Sequence, residues 1–209
     1  EDILLVGETS SDTPGGPAAF YGNGSNELHE VFDFRLLRSN WHPETFRRLI
    51  LDSDRAVPQG GWPPVVFSNH DQSRHIDRYG AGGEAIRRAR ATALLLFTLR
   101  GTPFVYYGEE LGLRDGRLRR ADLHDPYTIR YWPWKTGRDP ARTPMPWDDS
   151  PQAGFTTGRP WLPLSQAWRQ TNVAGEQRDP GSILSLYERL IRMKKASNAL
   201  TVGTYHPID

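Results

Sequence analysis

The stretch that most constrains this chain is Val66-Phe67-Ser68-Asn69-His70-Asp71-Gln72. An apolar run over Val65–Phe67 stops abruptly at Asn-His-Asp, the pattern of a buried strand that delivers polar side chains at its carboxyl end. A second run, Ile3-Leu4-Leu5-Val6-Gly7, ends the same way on Glu8. Two apolar strands, each tipped with one acid, are the simplest sequence sign of a site built on two carboxylates.

The chain around them alternates strand and helix. Ile3–Val6 reads as a strand, Ser10–Asn26 as a loop rich in Gly, Ser, Pro and Asn, and Val31–Phe34 as a second strand. Pro43–Leu51 reads as a helix, its N-cap within Asn40–His42 and Glu44 set against the helix dipole. Val65–Phe67 is the third strand. Gly83-Glu84 opens a strong helix, with Ile86, Ala89, Ala93, Leu96 and Phe97 at three- and four-residue steps and Gly101 as its C-cap. Phe104–Tyr107 is the fourth strand. Leu111–Pro180 shows no clean period. A connection of about 70 residues is far above the usual loop length, so it reads as a functional loop with short elements of its own. Asp179-Pro180-Gly181 starts a last helix, lined by Ile183, Leu186, Leu190 and Met193. Thr201–Asp209 reads as the first strand of a further domain. Such alternation points to a parallel sheet, and four βα units amount to half of a (β/α)8 barrel, in which chemistry sits at the carboxyl ends of the strands. Glu8, Asn69, His70 and Asp71 all fall there.

Composition narrows the function. Mean hydropathy is −0.63, and the longest apolar run, Ala91–Leu99, is far too short to span a membrane. A net charge of +1 gives no reason to expect nucleic acid, and the basic cluster Arg114–Arg120 reads as a solvated loop. There is no cysteine, hence no disulfide or thiolate chemistry. The chain lacks an initiator Met and enters a strand almost at once, which reads as a fragment of something longer. Seven Trp and eight Tyr make the loops aromatic-rich, which suits a sugar or another planar ligand, or equally a loop-rich surface with small clusters of its own. Motifs for zinc, calcium, nucleotide and serine-hydrolase sites are missing, so neither metal nor cofactor is expected.

Two carboxylates converging on one cleft support acetal hydrolysis. One, kept protonated in a poorly solvated spot, donates a proton to the leaving oxygen; the other side of the sugar needs a carboxylate. Glu8 and Asp71 fit that placement, although strand-end acids also cap loops or pair with arginine. His70 is placed to donate a hydrogen bond to a substrate hydroxyl or to be satisfied by backbone. Arg138 and Arg142 stand in a loop full of Pro and Trp, as a clamp on a sugar or as salt bridges pinning that loop. Glu109 and Glu110 follow the fourth strand and read as anchors of the long loop.

Four segments together resemble the α-amylase superfamily, glycoside hydrolase family 13: Val6-Gly7-Glu8, Phe67–Gln72, Gly101–Gly112 and Gly137–Trp147. Ala153–Gly158 and Pro160–Pro163 narrow the likeness to its α-glucosidase and oligo-1,6-glucosidase branch. The resemblance implies an α/β fold, the C-terminal half of a (β/α)8 TIM barrel with strands five to eight, over residues 1–200, and the start of a C-terminal β-domain over 201–209. It implies Glu8 as general acid/base, Asp71 as the carboxylate that stabilises the transition state, and His70, Arg138 and, more weakly, Arg142 as substrate-binding residues. It implies an oligosaccharide substrate, no nucleic-acid or membrane partner, and a bacterial cytoplasmic enzyme. It leaves α-1,4 against α-1,6 preference open. The family's nucleophile, an Asp after strand four in a Gly-Phe-Arg-x-Asp motif, has no counterpart here. Strands one to three and the B domain have none either, so the chain alone is expected to be inactive without an N-terminal half-barrel. Trehalose synthases and sucrose isomerases share these motifs and are the alternative, as is a non-catalytic relative on the same barrel.

Overall fold

The computed structural model describes residues 3–9, 16–23, 26–135 and 137–208. Its elements in chain order are β1 (Val6–Gly7), β2 (Glu30–Val31), α1 (Arg35–Arg38), α2 (Pro43–Ala56), β3 (Pro64–Val66), α3 (His75–Arg78), α4 (Gly82–Thr98), β4 (Thr102–Phe104), α5 (Pro126–Tyr131), α6 (Val173–Arg178), α7 (Ile183–Ala196) and α8 (Asn198–Thr201). The contacts divide the chain into two compact units. One holds Glu1–Phe67, Leu94–Phe104 and Ile191–Asp209; the other holds Ser68–Ala93 and Val105–Leu190. Among the described residues no helix is long and apolar enough to cross a membrane.

The first unit contains the strands, as two parallel pairs. Val6 pairs with Glu30 and Gly7 with Val31; Pro64 pairs with Thr102, Val65 with Pro103 and Val66 with Phe104. Parallel strands need long crossovers, and α2 and α4 lie in the connections between successive strands. Around β3 the core is apolar: Val65, Val66 and Phe67 are buried, with Leu37, Phe46, Leu49 and Leu96. The Phe46 ring meets Phe67 edge-on at 6.3 Å, and Phe32 meets Phe104 at 4.6 Å.

Several element bounds differ from the sequence reading, each for a local reason. The expected buried strand Ile3–Val6 is a two-residue strand with Ile3, Leu4 and Leu5 exposed, because among the described residues β1 has one neighbouring strand rather than cover on both faces. The strand expected over Val31–Phe34 stops at Val31. Asp33 accepts hydrogen bonds from the Arg35 backbone N–H at 3.0 Å and from its guanidinium, and turns the chain into α1. α2 begins at Pro43 with His42 as N-cap, as expected, but continues to Ala56; an Arg48–Asp52 pair at 3.8 Å, four residues apart, suits the added turn. β4 is shifted to Thr102–Phe104 because its partner ends at Val66. Gly16–Phe20, expected within a loop, is a 3₁₀ turn; residues 10–15 and 24–25 of that loop lie outside the described ones. Residues 202–208, expected as a strand, form none, and among the described residues no strand pairs with them; Asp209 lies outside the described residues.

The second unit is mostly loop and short helix. Its long connection carries elements of its own, as expected: 3₁₀ turns at Glu109–Leu111, Arg120–Asp122, Asp139–Arg142 and Pro151–Gly154, then α5 and α6. Asp125 caps α5, accepting from the Thr128 N–H, with Pro126 in its first turn. Asn172 caps α6 in the same way through the Gly175 N–H. Of the apolar face expected for the last helix, Ile183 and Leu190 are buried, with Tyr187, whereas Leu186 is half-buried and Met193 exposed.

Candidate active site

The chain leaves β3 through buried Phe67 and Ser68 and turns at once. The Asn69 side chain accepts the Asp71 N–H at 3.0 Å, a local turn that sets the Asp71 carboxylate beyond the strand end. Four fixed points hold this turn. The Ser68 hydroxyl accepts the His75 N–H at 2.9 Å and lies 3.1 Å from its Nδ1. That nitrogen is 2.9 Å from Glu109 Oε1, and Glu109 Oε2 accepts the Tyr106 N–H at 3.0 Å. Glu109 is buried, so it anchors the loop, as its sequence position suggested. Gly108 makes this possible, since its φ of +85° is open to glycine and a Cβ there would meet Leu113 at 2.7 Å.

Arg74, fully buried, ties the turn to the distant 139–143 segment. Its guanidinium lies over the rings of Tyr106 and Tyr107 at 4.9 and 4.8 Å, and donates to the carbonyls of Tyr107 and, at 2.9 Å, Ala141. The tyrosine hydroxyls donate to the same segment: Tyr106 to the Ala141 carbonyl at 3.0 Å, Tyr107 to that of Thr143 at 2.7 Å. Burial pushes both phenols up, so they stay protonated and keep donating.

This fastening brings both candidate arginines to Asp71. Arg142 donates through Nη2 to Asp71 Oδ1 at 2.9 Å and through Nε to the His70 carbonyl at 2.8 Å. Arg138 Nη1 reaches the same oxygen at 3.5 Å, as does His70 Nε2. All three contacts fall on Oδ1, and among the described residues no hydrogen bond reaches Oδ2. Asp71 is one-third exposed and His70 more than half, so a ligand has access to both. Four of the five residues singled out in the sequence are therefore one cluster.

The fifth, Glu8, belongs to the other unit. It stands exposed just past β1. The poorly solvated setting expected of a general acid is not built by the described residues of that unit, because the strand before it is itself uncovered.

One participant escaped the sequence reading. Asp125, its side chain 1% exposed, accepts Arg138 Nη2 at 2.5 Å and the Thr128 hydroxyl at 2.7 Å. The Arg138 hydrogen bond holds its carboxyl well below the usual range, and the same bond raises Arg138. Asp139, also buried, accepts the N–H groups of His124 and Asp125 at 2.7 and 2.8 Å, closing the loop behind the pair. Gly137, at φ +63°, lies where a Cβ would strike Thr128, so Arg138 enters the site on a backbone that only glycine permits. An acid before a proline at a helix start was the available signal for Asp125. Among the described residues no group of three or more His, Cys, Asp or Glu side chains is placed to hold a metal.

Residues 1–203 match the family described as alpha amylase, catalytic domain. A probable alpha-glucosidase of Rhizobium meliloti (strain 1021) is 39% identical over 204 residues, covering 96% of this chain and 37% of that protein. An oligo-1,6-glucosidase of Parageobacillus thermoglucosidasius is 30% identical, covering 98% of this chain and 42% of its own length. Among solved structures, a trehalulose synthase mutant, MutB A258V in complex with Tris, superposes with a TM-score of 0.86 at 31% identity, over 100% of this chain and 43% of that one. The chain thus spans about two-fifths of the length of these relatives. With the family's catalytic-domain match running from its first residue to residue 203, the chain belongs to the α-amylase catalytic-domain family.

Proposed function

We propose that these residues are the C-terminal half of the catalytic barrel, strands five to eight with their helices over 1–200, of a retaining exo-acting α-glucosidase, with 201–209 opening a C-terminal β-domain. The observation that carries this reading is the cluster at the end of β3, where two arginines and a histidine gather on one oxygen of Asp71. Asp71, its carboxylate hydrogen-bonded by Arg142 and Arg138, faces positive charge as it develops at the anomeric carbon. His70, Arg138 and Arg142 hold the hydroxyls of the terminal glucose. Glu8 donates a proton to the leaving oxygen and later takes one from water. The attacking carboxylate belongs to an N-terminal half-barrel, which also covers β1 and takes Glu8 out of water. The substrates are short α-glucosides, hydrolysed in the bacterial cytoplasm with no cofactor. Similarity to a trehalulose synthase supports a second reading, isomerisation of a disaccharide by the same carboxylates.

The test has two arms. The full-length protein, followed by NMR, should release α-glucose first from an α-linked substrate and leave sucrose unrearranged. The 209 residues alone should not cleave an aryl α-glucoside, and supplying the N-terminal half of the Rhizobium meliloti relative should restore cleavage. First-formed β-glucose would end the retaining mechanism; an isomer of sucrose as main product would select the second reading. Turnover by the isolated chain would show that the missing half is not needed.

A further inference from the structure

Within the basic stretch Arg114–Arg120, which reads as a solvated loop, Asp115 is half-buried and Gly116 buried. Asp115 clamps the chain just after the Asn69–Asp71 turn. Its Oδ1 accepts the Arg74 N–H at 3.1 Å, and its Oδ2 accepts the Ser73 hydroxyl. Its own N–H donates to Asp77 Oδ2 at 2.7 Å, and Arg114 donates to the other Asp77 oxygen at 2.7 Å. One short segment thus grips residues 73, 74 and 77 together. Arg78 adds a bond to the Ser73 carbonyl at 2.9 Å.

The next residue holds the opposite side of the Asp71 cluster. The Gly116 N–H donates to the Pro140 carbonyl at 2.8 Å, within the 3₁₀ turn Asp139–Arg142. The approach is close, and a Cβ on Gly116 would strike the Thr143 methyl. The φ of Gly116 is not in the left-handed region, so glycine is required here for space rather than for backbone freedom. Asp71 precedes Ser73 by two residues, and Arg142 follows Pro140 by two. Asp115 and Gly116 therefore join the two backbones whose side chains meet at 2.9 Å on Asp71 Oδ1. Among the described residues neither hydrogen-bonds to Asp71 itself.

We propose that Asp115 and Gly116 are positioning residues for the reaction at Asp71, setting the separation between the turn that carries Asp71 and the segment that carries Arg142. The inference rests on the α-glucosidase reading. In the full-length protein Asp115→Ala should lower kcat/KM for maltose about tenfold, through lost alignment rather than a lost substrate contact. Asp115→Asn, which keeps an oxygen for the Arg74 N–H, should return to within about threefold of the parent. Gly116→Ala should cost about fivefold. With Arg142→Lys already in place, each should cost less than about twofold more, because the arginine whose place they set is gone. Losses that multiply with that of Arg142→Lys, or an Asp115→Ala protein within about twofold of the parent, would overturn the proposal. If Asp115→Ala does not fold, Gly116→Ala carries the same test from the other side. If the parent turns over no α-glucoside, the α-glucosidase reading fails, and hydrogen exchange decides the positioning role. Residues 69–74 and 139–143 should then exchange at least about threefold faster in Gly116→Ala, with α2 unchanged. No acceleration, or one that α2 shares, would remove the proposal.

Discussion

Glu8 and Asp71 follow strands that look alike in sequence and differ in structure. Before Asp71, Val65, Val66 and Phe67 are buried; before Glu8, Ile3, Leu4 and Leu5 are 64%, 65% and 47% exposed. An apolar run records that a strand is to be covered, not which segment covers it. β3 is covered by residues of this chain, and Asp71 beyond it is held by Arg142 and Arg138, themselves fixed by Arg74, Tyr106, Tyr107 and Asp125. Among the described residues β1 pairs with β2 alone, and no described side chain of its unit closes over Glu8. The described residues build the surroundings of one strand end and leave the other exposed.

The largest effect that separates the two comes from neutralising each acid in the full-length protein. Asp71→Asn should lower kcat/KM about 10³-fold, because a charge aimed at the transition state is lost. That loss should be the same whatever the leaving group. Glu8→Gln should cost about 10²- to 10⁴-fold on ordinary α-glucosides. On α-glucosyl fluoride, whose leaving group needs no proton, it should recover to within about tenfold of the parent, since the acid's whole contribution is no longer required. Steady-state rates on both substrates check this, and equal recovery of the two variants would erase the distinction drawn between the strand ends.

A smaller effect sharpens the Asp71 side. Arg142 bridges the Asp71 carboxylate and the His70 carbonyl with separate nitrogens. Lysine brings one ammonium on a flexible stem and cannot reproduce that fork. Arg142→Lys should lower kcat/KM about tenfold, the worth of one charge-assisted hydrogen bond. A change below twofold would mean that Arg142 merely pins its loop, the other reading its sequence left open.

The same contrast explains what was legible in the sequence. Helical periodicity marked α4 and α7, because an apolar stripe at three- and four-residue steps is written into the segment itself, while Pro43 and Glu44 marked the start of α2. Strand lengths were misjudged, because a strand ends where its partner does; β4 stops opposite Val66 rather than at Tyr107. Strand ends and resemblance single out Asp71, His70, Arg138 and Arg142, which the folded chain gathers into one cluster. Asp125 and the Arg74–Tyr106–Tyr107 clamp were not legible, since each works through a partner 13 to 67 residues away, and nothing local in Asp125-Pro126 announces an arginine beyond a capping acid.

Asp125 offers the finest test, because it is the buried support that Glu8 lacks. Its carboxyl is held below the usual range by Arg138 and then by Thr128. A depressed folded-state pKa means stability that is fully present above the unfolded value, about 3.9, and is lost as pH falls toward the folded one. Asp125→Asn should therefore cost about 1–2 kcal/mol near pH 7, a charged hydrogen bond discounted because Arg138 is 37% exposed. That is a drop of a few degrees in Tm. The gap between parent and variant should shrink steadily below about pH 4, as the unfolded parent takes up a proton that the folded Asp125 carboxyl still resists. Thermal melts of the full-length protein across that range read it directly. A gap that stays constant to pH 3 would show that Asp125 acts by shape alone, and that Arg138 reaches Asp71 without the buried charge behind it.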